Sequence, residues 1–130
     1  LNQDLSFSEN DRRENIRRVS EVAKILSENG IIVFVSLITP LRAFRQNART
    51  IIGDHYFQEV FVKASFNTCQ QRDVKGLYAK VNEGQVPSFT GQGSDFEEPE
   101  DKQFTIDSEK ESEDISSEKL FQFVLDSISL

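Results

Sequence analysis

Apolar residues recur along this chain with two different periods. Ile16, Val19, Val22, Ala23 and Leu26 fall three and four apart, which places them on one stripe of a helix. Ser8, followed by Glu9 and Asp11, supplies an N-cap with acids in the first turn, and Asn29-Gly30 supplies the stop. The pattern then changes. "IIVFVSLI", Ile31 to Ile38, is an almost unbroken β-branched and apolar run halted by Thr39-Pro40, and predicts a strand buried on both faces, as in parallel sheets. Helical spacing resumes in "RAFRQNARTII", Arg42 to Ile52. A second strand is expected at "YFQEVFVKA", Tyr56 to Ala64, and a weaker third at "QFTID", Gln103 to Asp107. The chain closes on a helix with Leu120, Phe121, Val124, Leu125 and Ile128 on one face.

Strands alternating with helices imply right-handed βαβ units, and so an α/β fold with a parallel sheet flanked by helices. The length of 130 residues fits a single domain, 1–130. Between the second and third strands lies the polar segment 65–100. Connections of such length in a compact domain are usually functional, so the segment is expected to be a lid or substrate-closing loop.

Charge narrows the range of partners. The formal net charge is −7, which opposes non-specific binding to nucleic acid or to an anionic membrane, because both reward a basic surface. An anionic ligand would need a local basic cluster. One exists in "LSFSENDRRENIRR", where Arg12, Arg13, Arg17 and Arg18 crowd the start of the first helix. Cys69 is the only cysteine and His55 the only histidine, so a disulfide framework, a zinc site and a Cys/His nucleophile all lack parts. No metal site is expected from these residues, and a reduced, cytoplasmic setting is the simplest reading. No apolar run of about 18 residues suggests a membrane span. The absence of methionine suggests that the sequence begins part-way into a longer product.

Parallel α/β sheets bind ligands beyond the carboxyl ends of their strands, which directs attention to "ITP", Ile38 to Pro40. Thr39 offers a hydroxyl and a backbone N–H there, and it also serves simply to end a strand; both readings stand. Arg12 and Asn15 share one helix face, Arg13 and Arg17 another. A guanidinium beside an amide can grip an anion and read a base or sugar edge. Lys75, in "RDVKGLY", places a charge on the expected lid, and Phe7 and Phe89 are loop aromatics suited either to local packing or to stacking on a base. The motif G-x-x-x-x-G-K-[ST] does not occur in the 130 residues.

Taken together, "LNQDLSFSENDRRENIRRVSEVAKILSENGIIVFVSLITP", "RQNAR", "FQEVFVKASFNTCQQRDVKGLYAK", "EGQVPSFTG" and "DFEEPE" resemble the adenylylsulfate kinase family. The resemblance runs from Leu1 to about Glu100. It implies a P-loop kinase-like fold with a lid and transfer of the ATP γ-phosphate to the 3′-hydroxyl of adenosine 5′-phosphosulfate. By carry-over, Phe7 stacks on the adenine and Arg12 and Asn15 contact the same nucleotide. Ile38 and Thr39 line the crevice, Lys75 reaches in from the lid, and Ser88 with Phe89 closes over the base. Thr39 occupies the position at which many bacterial members carry a serine read as a phospho-acceptor, which makes it the one catalytic candidate. Ser6 replaces a usual glycine, and "GQGSDFE" departs from the usual pattern.

The same resemblance implies ATP and Mg²⁺ as cofactors, with their main ligands in a first strand and phosphate loop that this sequence lacks. It further implies a homodimer, and fusion to or association with a sulfate adenylyltransferase. Two alternatives remain open. One is a non-catalytic nucleotide-binding or regulatory member of the family, and the other is a different small-molecule P-loop kinase.

Overall fold

A computed structural model of the chain describes residues 1–73, 76, 78, 89–90, 93–94, 96–100 and 104–128. Helix α1 runs Glu9–Glu28, α2 Arg42–Ile52, strand β1 Val60–Lys63, α3 Phe66–Arg72, β2 Phe89–Thr90, β3 Gly93–Ser94, β4 Phe104–Asp107 and α4 Glu113–Ile128. Two compact units form. The first comprises Leu1–Gln58 and Val81–Glu98, the second Glu59–Lys80 and Pro99–Leu130.

In the first unit α1 begins where its cap dictates. Ser8 Oγ accepts from the Asp11 N–H at 3.1 Å, and Glu9 and Asp11 sit in the positive first turn. At the other end Gly30 N–H donates to Ser27 O at 3.0 Å and Ile31 N–H to Leu26 O at 3.1 Å, a Schellman closure. It requires the left-handed φ of +77° that Gly30 adopts. The residues of α1 that become buried are Ile16, Ser20 and Ala23. This stripe is rotated from the expected one, since Val22 is exposed and Ser20 takes an interior place. Ser20 can do so because its hydroxyl donates to Ile16 O at 2.8 Å, leaving no orphan polar atom. Against this stripe α2 lays Phe44 and Ala48, with Leu41 and Phe57 packed around them.

The loop ahead of α1 is fixed by charge. Arg18 holds both oxygens of Asp4 at 2.7 and 2.8 Å, the Leu1 carbonyl at 3.0 Å and Glu14 Oε1 at 2.9 Å. Arg17 grips both oxygens of Glu14, at 2.8 and 2.9 Å. Planar forks on carboxylates of this kind are the stronger, geometrically defined ion pairs. Much of the basic cluster thus serves to build the fold.

The expected strand at Ile31–Ile38 does not form: residues 31–40 carry no regular secondary structure, and Ile31, Ile32, Phe34, Val35, Leu37 and Ile38 are between 39% and 69% exposed. Local sequence preference for a strand is present, but a strand exists only through its ladder, and among the described residues no strand pairs with this run.

The second unit holds the parallel pair that the βαβ reading required. β1 and β4 pair from Val60↔Phe104 to Lys63↔Asp107, with Phe61 and Ile106 buried. β1 is shorter than the run Tyr56–Ala64, and β4 covers the described residues of the run Gln103–Asp107. Between them stands α3, which the sequence pattern did not indicate. Its N-cap Ser65 donates from both its hydroxyl and its backbone N–H to Glu109 Oε1, at 2.6 and 3.2 Å, and Thr68 Oγ1 donates to the same oxygen. These donors hold the Glu109 carboxyl down at about 2. On α4 the half-buried residues are Ser116, Leu120, Phe123 and Val124, and the Phe123 ring stacks on Phe104 with centroids 4.5 Å apart. Phe121, Leu125 and Ile128, expected on the packing face, are exposed.

Two outcomes follow from these features. The Asp4 carboxyl is held at about 2, below its ordinary 3.8, first by the Arg18 hydrogen bond. A folded value below the unfolded one means that the tether is at full strength above about pH 4 and is lost as the pH falls towards 2. In an NMR titration Arg18→Met should return the Asp4 carboxyl towards 3.8; an unchanged midpoint would refute the assignment. The apolar run, in turn, should drive self-association of the 130-residue chain as concentration rises, and Ile32→Lys with Phe34→Lys should reduce it. Sedimentation velocity measures this, with a concentration-independent monomer as the contrary result.

Candidate functional site at the start of α1 and α2

Seven residues precede the α1 cap, and they form a bound loop rather than a frayed end. Leu5 N–H donates to Asn2 O at 3.2 Å, closing a turn in which Asn is a favoured residue. Ser6 Oγ and Ser8 Oγ both donate to Asp11 Oδ2, the latter at 2.7 Å, and they hold that carboxyl below its usual range, Ser6 foremost. Ser6 at the usual glycine position therefore carries a positive role, tying the residue before Phe7 to the first turn of α1.

Phe7 projects from this loop with 61% of its surface exposed. Arg12 Nε donates to the Phe7 carbonyl at 3.0 Å, so the guanidinium lies against the backbone that carries the ring. One turn later on the same face, Asn15 Oδ1 accepts from Asn2 Nδ2 at 2.7 Å. Phe7, Arg12 and Asn15 are thereby brought into one constellation. Asn2 joins it and was not singled out from sequence; its only local signal was its place in a polar turn. Its Oδ1 is buried and finds no donor among the described residues, an uncommon situation for a buried acceptor.

Ile38 and Thr39 form a second group, just before α2. Ile38 is 65% exposed, whereas Thr39 is half-buried and its carbonyl accepts from Arg45 Nη1 at 2.7 Å. Lys75 and Ser88 lie outside the described residues, and of Phe89 only the backbone, in β2, is described.

A cleft of about 550 Å³ opens between α1 and α2, lined by Asn10, Arg13, Glu14, Arg17, Ala43, Phe44 and Asn47. None of the expected site residues lines it. Its cations are already engaged: Arg17 with Glu14 and with Glu21 at 3.3 Å, and Arg13 with Glu9 at 3.6 Å. It also lies on the Arg13–Arg17 face of α1, away from Arg12 and Asn15.

Among the described residues no group of three or more His, Cys, Asp or Glu side chains is placed to hold a metal ion. No described helix is long and apolar enough to cross a membrane.

Comparison with known proteins identifies relatives of the chain. The family model of adenylylsulphate kinase matches residues 1–107. A probable adenylyl-sulfate kinase of Bacillus subtilis is 43% identical over 129 residues, covering 99% of this chain and 66% of its own length. An adenylyl-sulfate kinase of Bacteroides thetaiotaomicron is 44% identical over 98% of this chain and 64% of its own. The chain thus spans just under two thirds of the length of these relatives. In structure it is similar to the APS kinase of Mycobacterium tuberculosis in complex with AMPPNP and APS, with a TM-score of 0.83 and 36% identity over 92% of this chain and 70% of that one. That relationship accounts for an α/β fold with parallel pairing: this chain belongs to the adenylylsulfate kinase family.

Proposed function

We propose that this chain forms the acceptor side of an adenylylsulfate kinase. It binds adenosine 5′-phosphosulfate and presents the ribose 3′-hydroxyl for phosphorylation by ATP, giving 3′-phosphoadenylyl sulfate. The observation that carries this reading is the constellation at the start of α1, where an exposed Phe7 ring, the Arg12 guanidinium and the Asn15 amide are fastened to one loop. An aromatic face left in water beside a cation is suited to an adenine that stacks and an anion that pairs.

In this reading Phe7 stacks on the base and Arg12 and Asn15 hold the nucleotide. Ile38 and Thr39 line the crevice, and Lys75, Ser88 and Phe89 approach from the lid segment 65–100 of a single adenylylsulfate kinase domain, 1–130. Phosphoryl transfer in this superfamily is direct and in line, and is driven by positioning and charge neutralisation. Thr39 accordingly orients substrate rather than carrying a phosphoryl group. ATP with magnesium supplies that group. Its binding is not assigned to the described residues, so this chain's own part is to bind, orient and enclose the acceptor. The reading carries with it a cytoplasmic setting, a homodimer, and fusion to or association with a sulfate adenylyltransferase.

Calorimetric titration with adenylylsulfate and, separately, with ATP tests the site. Phe7→Ala and Phe89→Ala should each weaken adenylylsulfate by about 1–3 kcal/mol, the usual scale for a base stacked on an aromatic side chain, and leave ATP little changed. Arg12→Ala should cost at least as much, because it removes a charge-assisted contact. If Phe89→Ala weakened ATP alone, the lid would belong to the donor side; if wild type failed to bind adenylylsulfate, the substrate assignment would fall.

A further inference from the structure

Arg45 is the one charged side chain among the buried described residues, 7% exposed, and it carries no role in the assignments above. A buried guanidinium is costly unless its donors are satisfied. Here two backbone carbonyls satisfy it from different parts of the first unit: Nη1 donates to Thr39 O at 2.7 Å and Nη2 to Glu97 O at 2.6 Å. Its Cζ also lies 5.8 Å from the centre of the Phe96 ring. The same two segments are joined beside it. Glu97 N–H donates to Pro40 O at 2.8 Å, Arg42 N–H to Glu97 Oε2 at 2.6 Å, and Arg42 Nε to Glu98 O at 2.9 Å.

The residues so joined are not arbitrary. Thr39 ends the apolar run at the candidate crevice, and Phe96–Glu98 closes the second stretch of the first unit, Val81–Glu98. The two are separated by more than fifty residues of sequence, and a single side chain spans them. Thr39 itself has little other support, because the run before it has no ladder among the described residues. A rigid planar fork with donors on two sides suits this task, whereas a lysine offers one point charge on a flexible stem.

We infer that Arg45 is a positioning residue of the adenylylsulfate crevice: it locks the crevice wall at Thr39 to the Phe96–Glu98 segment at Glu97, so that ligand bound at the crevice also orders that segment. This rests on the acceptor-site reading above.

The test uses the 130-residue chain, adenylylsulfate as probe, calorimetry, and hydrogen exchange read at residues 37–42 and 96–98. In wild type the ligand should slow exchange in both segments. Arg45→Ala should weaken binding about tenfold or more, the loss expected for a buried charge-assisted contact, and should abolish ligand-induced protection at 96–98. Arg45→Lys should fall between them. Ala48→Gly, in the helix core and away from the fork, serves as a control for stability loss alone. If it produces the same binding loss and the same uncoupling as Arg45→Ala, or if Arg45→Ala binds like wild type or keeps protection at 96–98, the inference is overturned. Should Arg45→Ala fail to fold, Arg45→Lys carries the same comparison, and wild-type coupling retained in it overturns the inference. If wild type binds no adenylylsulfate, the substrate reading fails and the crevice role with it. The lock is then judged by ligand-free exchange, where Arg45→Ala or Arg45→Lys must loosen 37–42 and 96–98 together and more than Ala48→Gly does.

Discussion

The fork of Arg18 on Asp4 is the contact on which the candidate site depends. It ties the loop before α1 to a residue two turns inside the helix, and with Glu14 and the Leu1 carbonyl it uses the guanidinium on three partners at once. Exposed ion pairs contribute little to global stability. Their worth here is geometric, because a loop with few buried apolar side chains relies on polar contacts to hold Asn2 and Phe7 over Arg12 and Asn15. The arginine cluster therefore divides into two classes. Arg17 and Arg18 build the frame, and Arg12 stands beside the exposed ring.

Packing and polar bonding divide the work differently in the two units. In the first, Ile16, Phe44 and Ala48 join α1 to α2, and the segments leading into and returning to α2 are joined by backbone carbonyls and arginine donors rather than by a ladder. In the second, a four-residue parallel pair is the frame. Glu109 satisfies the hydroxyls of the α3 cap, while Arg72 donates to the Ser108 hydroxyl and carbonyl at 3.0 and 2.7 Å. Short elements are thus closed at their ends by side chains, as helix and strand termini with unpaired backbone groups require.

What could be read in the sequence was local or motif-bound. The limits of α1 were legible because Ser8 and Asn29-Gly30 act on their own neighbours, and α2 because its apolar spacing and its bounds at Pro40 and Gly53 lie within one short stretch. The family was legible because several spaced motifs coincide. Three things were not. The face that α1 buries turned towards Ser20, because a hydroxyl can be paid for by its own helix carbonyl, which a hydropathy stripe does not register. Phe123, not Phe121, became the packing residue of α4, since only the position of Phe104 decides which side is inward. The Ile31–Ile38 run has every local mark of a strand and is not one, because a ladder needs a second backbone.

The chain by itself determined where helices start and stop, which strand runs exist as candidates, and which residue types stand ready for an anionic nucleotide, since these follow from nearest neighbours along the backbone. Tertiary structure alone decided that Asn2 reaches Asn15, that Ser6 serves Asp11, and that Arg45 joins Thr39 to Glu97. Those contacts depend on distances across space rather than on a repeating pattern along the backbone, and a guanidinium, hydroxyl or amide takes whichever acceptor the fold brings within about 3 Å.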